Sequence, residues 1–389
     1  MTDSLRVVVP RYGASVTGGS ETAMRRLAVA LAARGWNIEV WTTNAADEAT
    51  WAADAAAGES IEDGVRVRRF PVRARRPPRL FAEGSRLFFR TPARLRWEAP
   101  WIAAQGPWSP RLVAALARAD GPTLFTPYLF HPTLRGIGAA PHPRILLPAA
   151  HDERPLRLRA VAAAVRHADA LWFHTPEERD LLVTVHPDAA GRPWAVGTTG
   201  VDVPADLDAG AFARSHGIDT PYLLHGGRRI AGKGLDQLLS GFATLRARRE
   251  DVTLVLTGDG GDGASCDGVR AVGMLPGGER WNAIAGAVAV VVPGALESLS
   301  LLALEAWGAG RPCLLNAASA VLRGQSARTG GGLLFASPEE FADGAERLLD
   351  DPALAGAMGR AARDHVQREY QWDDVEARLR DLITRAARP

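Results

Sequence analysis

The residues best suited to chemistry lie in His225-Gly-Gly-Arg-Arg-Ile-Ala-Gly-Lys-Gly234, which holds the single lysine of a chain whose other 45 basic residues are arginine. Lysine carries a compact ammonium on a flexible stem, whereas arginine is a broad planar fork. A lone lysine between two glycines therefore points to a tight pocket that needs a point charge. Gly227-x4-Gly232-Lys233 stops one residue short of a phosphate-binding P-loop, because Gly234 stands where a Ser or Thr hydroxyl would reach Mg²⁺. The loop keeps glycines for close backbone approach and two cations, Arg228 and Lys233, a fork and a point charge that together suit a diphosphate. It grips phosphates without the machinery that hydrolyses them. A P-loop-like NTPase stays open as an alternative, weakened by Gly234.

Downstream runs Glu297-Ser-Leu-Ser-Leu-Leu-Ala-Leu-Glu305. Carboxylates eight positions apart on a helix stand ~12 Å apart. That is too far for the acid/base pair of a glycosidase, but it suits the span from ribose to hexose in a nucleotide-sugar. Glu297 falls in the loop before the helix, so Ser298, Leu299 and Ser300 expose N–H groups between the two carboxylates. Glu305 lies among Leu301, Leu302, Leu304, Ala306 and Trp307, an environment too apolar for a merely solvated position. His151 follows a strand, where open α/β sheets deliver ligand-contacting loops. His174 reads as a strand-end residue. Asp206-x-Asp208 has the spacing of a metal-binding pair but sits in a linker, so no metal and no cofactor are expected.

These residues need strand-loop-helix units to hold them. Leu5 to Pro10 reads as a buried strand, followed by a loop ending in Gly18-Gly19, a helix over Ser20 to Arg34 with Ser20 as N-cap, and a strand from Asn37 to Thr42. A helix start behind Gly18-Gly19 attracts anions. The same grammar restarts at Tyr222 to His225, and Thr253 to Thr257 ends in Gly258-Asp259-Gly260. The expected architecture is α/β, with two doubly wound domains facing a central cleft: 1–200, and 201–369 carrying the phosphate loop, with a helix in 370–389 packing back on the first domain. Length alone argues for two domains. Apolar content of 47%, charged content of 23% and a net charge of +2 exclude a disordered chain and a uniformly basic nucleic-acid binder. No apolar run reaches the ~18 residues of a membrane span, no secretion signal is evident, and Cys266 and Cys313 lack metal-ligand spacing, which fits a reducing cytoplasm.

One stretch resists this pattern. Arg66 to Arg96 carries eleven arginines and one acid, Glu83, interleaved with Phe70, Phe81, Phe88 and Phe89, and Trp97, Trp101 and Trp108 follow. It reads as an irregular connection with aromatics on the core. It also suits an anionic acceptor, or a peripheral contact at the inner face of an anionic membrane. Binding of single-stranded nucleic acid is the least favoured reading.

Taken together, Gly227-Arg228-x4-Lys233-Gly234, Gly258-Asp259-Gly260, Glu297-x7-Glu305 and Ala306-Trp307-Gly308-Ala309-Gly310-Arg311-Pro312, with Gly18-Gly19-Ser20-Glu21, resemble the family 4 retaining glycosyltransferases of the GT-B fold. The resemblance implies a nucleoside-diphosphate sugar as donor and transfer with retention to a carbohydrate, lipid-linked or small-molecule acceptor. It implies that Arg228 and Lys233 bind the donor diphosphate near Gly18-Gly19, and that Gly227, Gly258 and Ser298 to Ser300 line the donor site. Glu305 would hold the ribose, Glu297 the sugar, and His151 would position that sugar. A GT-B-shaped protein that binds nucleotide-sugars without catalysis is the other alternative. The chain departs from the family pattern after Pro312, where Asn316 and Arg323-Gly-Gln325 replace a glycine-rich loop and a glutamate.

Overall fold

The computed structural model describes residues 3–16, 18–227, 233–258, 260 and 267–388. Arg228 and Asp259 lie outside the described residues, as does Cys266. The chain divides into two compact units, one of Met1–Thr199 with Trp372–Pro389 and the other of Gly200–Gln371.

The first unit is built on strands β1 (Ser4–Val8), β2 (Asn37–Thr43), β3 (Gly58–Glu62), β4 (Val65–Phe70), β5 (Thr123–Phe125), β6 (Arg144–Leu146), β7 (Ala170–Phe173) and β8 (Trp194–Val196). They form one sheet in the order β3-β4-β2-β1-β5-β6-β7-β8, parallel except for β3. Helices α1 (Gly19–Ala33), α2 (Pro78–Arg90), α3 (Glu98–Gln105), α4 (Pro110–Leu116), α5 (His131–Gly136), α6 (Arg159–His167) and α7 (Pro176–Val185) connect them. The continuous apolar runs of β5 and β7 are wholly buried, as parallel strands covered on both faces must be. The terminal helix Trp372–Ala386 returns to this unit and packs on β6, β7 and β8. There the Trp36 indole donates to Glu376 at 3.0 Å, and Arg34 pairs with Asp373 at 3.0 Å.

Two local expectations change. α1 starts at Gly19, so Ser20 lies inside the first turn and Gly18 occupies the cap position. Gly18 has φ +157, and a Cβ there would overlap the Glu21 carboxylate, which places this backbone in a region open to glycine alone. The stretch from Arg66 to Arg96 is not irregular. It holds most of β4, where Val65, Val67 and Phe70 are buried between arginines, and all of α2, which buries none of its residues. Phe81, Phe88 and Phe89 do lean on the core beside Trp101. Arginine density concealed both the two-residue period and the helical one.

The second unit contains β9 (Tyr222–Gly226), β10 (Thr253–Thr257), β11 (Val269–Gly273), β12 (Ala289–Val292), β13 (Cys313–Asn316) and β14 (Gly332–Phe335), all parallel, in the order β11-β10-β9-β12-β13-β14. Its helices are α8 (Ala211–His216), α9 (Leu235–Arg248), α10 (Gly277–Gly286), α11 (Leu301–Gly308), α12 (Ala320–Thr329), α13 (Pro338–Asp350) and α14 (Pro352–Glu369). Strand order reverses between β9 and β12, so the loops leaving those two strands flank the position where such sheets bind ligands. Helix α11 is apolar on nearly every side because it is buried on nearly every side, and the Trp307 indole N–H is satisfied by the Gly331 carbonyl at 3.0 Å.

Candidate functional site

In the second unit the loops after β9, β10 and β12 meet at the carboxyl edge of the sheet. The Gly227 N–H donates to Thr257 O at 3.1 Å, and a Cβ on Gly258 (φ +110) would overlap the Gly227 carbonyl. The two loops therefore touch backbone to backbone, which only glycine permits. The Lys233 ammonium lies 3.6 Å from Glu297 Oε1, with both side chains part-exposed. Next comes Gly234 at φ +79, N-terminal to α9, packed so closely that a Cβ would overlap the Pro293 carbonyl oxygen. The hydroxyl missing from the P-loop pattern is missing for a steric reason.

Asn316, at the end of β13, fixes this contact. Its amide donates to Pro293 O at 2.7 Å and to Gln237 Oε1 of α9 at 2.8 Å, tying the loop after β12 to the helix that follows Lys233. Glu297 closes over Gly294, where a Cβ would come within 2.8 Å of its Oε1. Ser298 and Ser300 are buried and Leu299 is half-buried, and the Ser300 hydroxyl caps α11 by accepting from Ala303 N–H at 3.2 Å. The first-turn N–H groups of α11 thus face the same loop as Lys233 and Glu297, a setting that favours anions.

Glu305 is buried in α11, and its carboxylate forms a two-pronged pair with Arg280 of α10 at 2.8 and 2.5 Å. Nothing in the sequence pattern pointed to Arg280, which lies outside every motif. Among the described residues no group of three His, Cys, Asp or Glu is placed to hold a metal ion. Asp208 is taken up locally, accepting from Gly210 and Ala211 N–H at the start of α8 and pairing with Arg214 at 2.5 Å; the Gly210 bond leads in holding its pKa below the usual range.

Three further candidates belong to the first unit. Gly18 and Gly19 start α1, and their loop is braced by Glu21, which accepts from the buried Arg11 guanidinium at 2.6 and 3.1 Å. Arg11 also pairs with Glu48 at 3.1 Å. His151 follows β6, part-exposed, with Nδ1 3.9 Å from a Glu153 carboxylate that accepts from the Tyr128 hydroxyl at 2.8 Å. The loop carrying His151 is held from below by Glu178 of α7. This buried carboxylate accepts from Ala150 N–H at 2.9 Å and from His174 N–H at 2.7 Å. Burial raises its pKa from the ordinary 4.5 to about 8, against the pull of those backbone donors. In the sequence, Glu178 is the last residue of Thr175-Pro176-Glu177-Glu178, which fits a capping box with proline at N1. His174 is buried against Thr198, and burial lowers its pKa to about 3.

Both units have counterparts in known proteins. Residues 18–193 match the family described as "Glycosyl transferase 4-like domain", and residues 220–351 match "Glycosyl transferases group 1". A D-inositol 3-phosphate glycosyltransferase of Streptomyces avermitilis is 29% identical over 75% of this chain, and the match spans 61% of that protein's length. Its counterpart from Saccharomonospora viridis is 27% identical over 96% of this chain and 90% of its own length. Two solved structures share the fold: sucrose-phosphate synthase from Thermosynechococcus elongatus (TM-score 0.71, 19% identity, 98% of each chain) and Anabaena Alr3699/HepE in complex with UDP-glucose (TM-score 0.70, 14% identity, 98% of this chain and 99% of that one). Both domain matches, in order and spanning most of the sequence, agree with the two parallel-sheet units, and the chain belongs to the family 4 glycosyltransferases of the GT-B fold.

Proposed function

We propose that the protein transfers a sugar from a nucleoside-diphosphate sugar to an acceptor hydroxyl with retention of configuration at the anomeric carbon. The observation that carries this reading is the Lys233–Glu297 pair beside Gly234, at the strand-order reversal of the second unit and in front of the α11 N-terminus. Arg228, Lys233 and the α11 N–H groups bind the diphosphate and balance the charge that grows on it as the anomeric C–O bond breaks. No metal ion takes part. Glu297 accepts from sugar hydroxyls and Glu305 from the ribose. Gly18-Gly19 approaches the diphosphate, and His151 orients the sugar without acting as a general base. The acceptor hydroxyl attacks from the face that the leaving group departs, forms the new C–O bond, and gives its proton to the departing phosphate oxygen.

A thermal-shift panel of UDP-, GDP-, dTDP- and ADP-sugars identifies the donor; stabilisation by one base over the others is the expected result. With that donor, Lys233→Ala is expected to weaken binding by about 10- to 100-fold, the worth of one charge-assisted contact, while far-UV circular dichroism stays unchanged. Full transfer activity in Lys233→Ala would sink the reading. The NTPase alternative requires a hydroxyl at a position where Gly234 admits no side chain, and Mg²⁺-dependent ATP hydrolysis would revive it.

A further inference from the structure

The first unit contains a cavity of about 700 Å³ between α2 and α3, remote in sequence from every residue assigned above. Trp51, Phe81, Gly84, Phe88, Trp101 and Trp108 supply much of its wall. That volume lies within the ~300–1,000 Å³ of small-molecule sites.

Most of the polar groups in this wall are already committed. The Trp51 indole donates to Gln105 O at 2.7 Å and the Trp101 indole to Ser85 Oγ at 3.0 Å. Arg76 donates to the carbonyls of Glu48, Ala49 and Gln105, and Arg96 to those of Thr91 and Phe89. A sugar brings many hydroxyls that need partners, and burying them here would leave them unmatched. An apolar body meets no such cost. The apolar surface also continues outside: Leu80, Leu87, Leu95 and Trp97, all lining residues, are 68%, 70%, 66% and 78% exposed. An occupant that covers them is longer than the cavity is deep, which favours a chain over a compact ring system.

Charge defines the other end of the occupant. Arg75 lines the cavity, whereas Arg79, Arg86, Arg90 and Arg94, on and after α2, lie outside its lining. Among the described residues none of the five has a carboxylate within ion-pair distance, although paired arginines abound elsewhere on the surface. We propose that this cavity binds a single-chain anionic amphiphile, an acyl or isoprenoid chain inserted between α2 and α3 with its phosphate or carboxylate held by Arg75. If the transferase reading above holds, lipid-linked molecules are the first acceptors to try; the binding itself does not depend on that reading.

Decyl phosphate, kept below its aggregation concentration, is the probe, with uncharged decyl glucoside as its partner and tryptophan fluorescence and calorimetry as readouts. No sugar nucleotide is present, so the result is independent of donor binding. Saturable one-to-one binding of decyl phosphate is expected. Gly84→Trp directs an indole from a position that lines the cavity and where a Cβ meets nothing within 4 Å. It should weaken binding about tenfold or more, the equivalent of two buried methylenes. Ala104→Phe, on the exposed side of α3, repeats the test should Gly84→Trp fold poorly. Arg75→Glu should weaken decyl phosphate more than decyl glucoside, and the difference should shrink in high salt. Absence of saturable binding overturns the proposal, as does binding that both cavity-filling variants leave untouched. Binding to vesicles of phosphatidylglycerol and phosphatidylcholine without binding of the monomer also overturns it, since that result marks a membrane-facing surface and not a pocket.

Discussion

The strand-end site of the second unit and the α2–α3 segment of the first both pair cations with glycine, yet they are built on opposite terms. At the strand ends, Gly234 and Gly258 are packed against neighbouring carbonyls, Lys233 faces Glu297, and Glu305 is forked by Arg280. On α2, Gly84 has open space around it, Arg79, Arg86 and Arg90 have no carboxylate within ion-pair distance among the described residues, and leucines stand in solvent. The first is a closed arrangement whose parts hold one another in place. The second is a surface with unfilled capacity. The difference teaches that glycine and arginine mean little by type alone; what surrounds each decides whether it organises a site or leaves one open.

The largest expected effect comes from adding one methyl group at the closed site. Gly234→Ala forces a left-handed φ on a residue with a Cβ and drives that Cβ into the Pro293 carbonyl. Together these cost about 3 kcal/mol. Denaturant unfolding should show a marked loss of stability, accompanied by loss of nucleotide-sugar binding. A neutral Gly234→Ala would erase the contrast between the two regions.

A smaller effect should follow removal of a cation from each region. Arg280→Ala leaves the buried Glu305 carboxylate without its fork and is expected to cost about 2 kcal/mol, discounted for the part-exposure of Arg280. Arg75→Ala removes an exposed charge with no carboxylate in ion-pair reach among the described residues, and should move stability by less than about 0.5 kcal/mol. Equal losses in the two variants, measured by urea unfolding, would show that burial does not set the worth of these arginines.

Much of the closed site was legible because its signals are local. Strand runs, the glycines after them, the lone Lys233 and the Glu297/Glu305 spacing all lie within short windows, and both strand ends carry the glycines that backbone contact requires. The contacts that hold the site together act across sequence. Arg280 reaches Glu305 over 25 residues, Asn316 reaches Pro293 over 23, and Glu178 reaches Ala150 over 28. No period or motif links such partners; only the folded sheet brings them together. Ser20 was read as a cap from its type, but the helix begins one residue earlier, where Gly18 alone fits against Glu21. The α2 segment failed differently. Leu80 and Leu87, seven apart, and Phe81 and Phe88 beside them give a helical stripe, but the stripe is divided: Phe81 and Phe88 lean on the core, while Leu80 and Leu87 stand exposed at the cavity mouth.

The loop carrying His151 provides an intermediate case, since it stands in the same unit as α2 yet is built like the closed site. Glu178 has a folded-state pKa near 8 against an ordinary 4.5, so the folded state holds the extra proton and stability falls as pH rises through that window. Between pH 7 and 9, above the range where histidines titrate, the loss is about 1.4 kcal/mol, one pKa unit's worth. Glu178→Gln lowers stability at every pH by replacing an acceptor oxygen with a donor, but it should flatten this slope. Unfolding measured at pH 7 and pH 9 in both proteins checks it; identical slopes would place the titration elsewhere.

The smallest expected effect has the opposite sign and bears most directly on the comparison. Gly84 sits in the middle of α2, where a glycine costs the helix about 0.5–1 kcal/mol relative to alanine. A Cβ there touches nothing, and helical backbone suits alanine. Gly84→Ala should therefore raise stability by a few tenths to about 1 kcal/mol, and the same glycine-to-alanine change that damages the strand-end site should improve this helix. Gly84 also lines the cavity. A small residue at Gly84 keeps the space between α2 and α3 open, so Gly84→Ala should gain stability while slightly weakening decyl phosphate. A variant that gains stability and binds the probe no less well would leave that glycine without a role in the cavity.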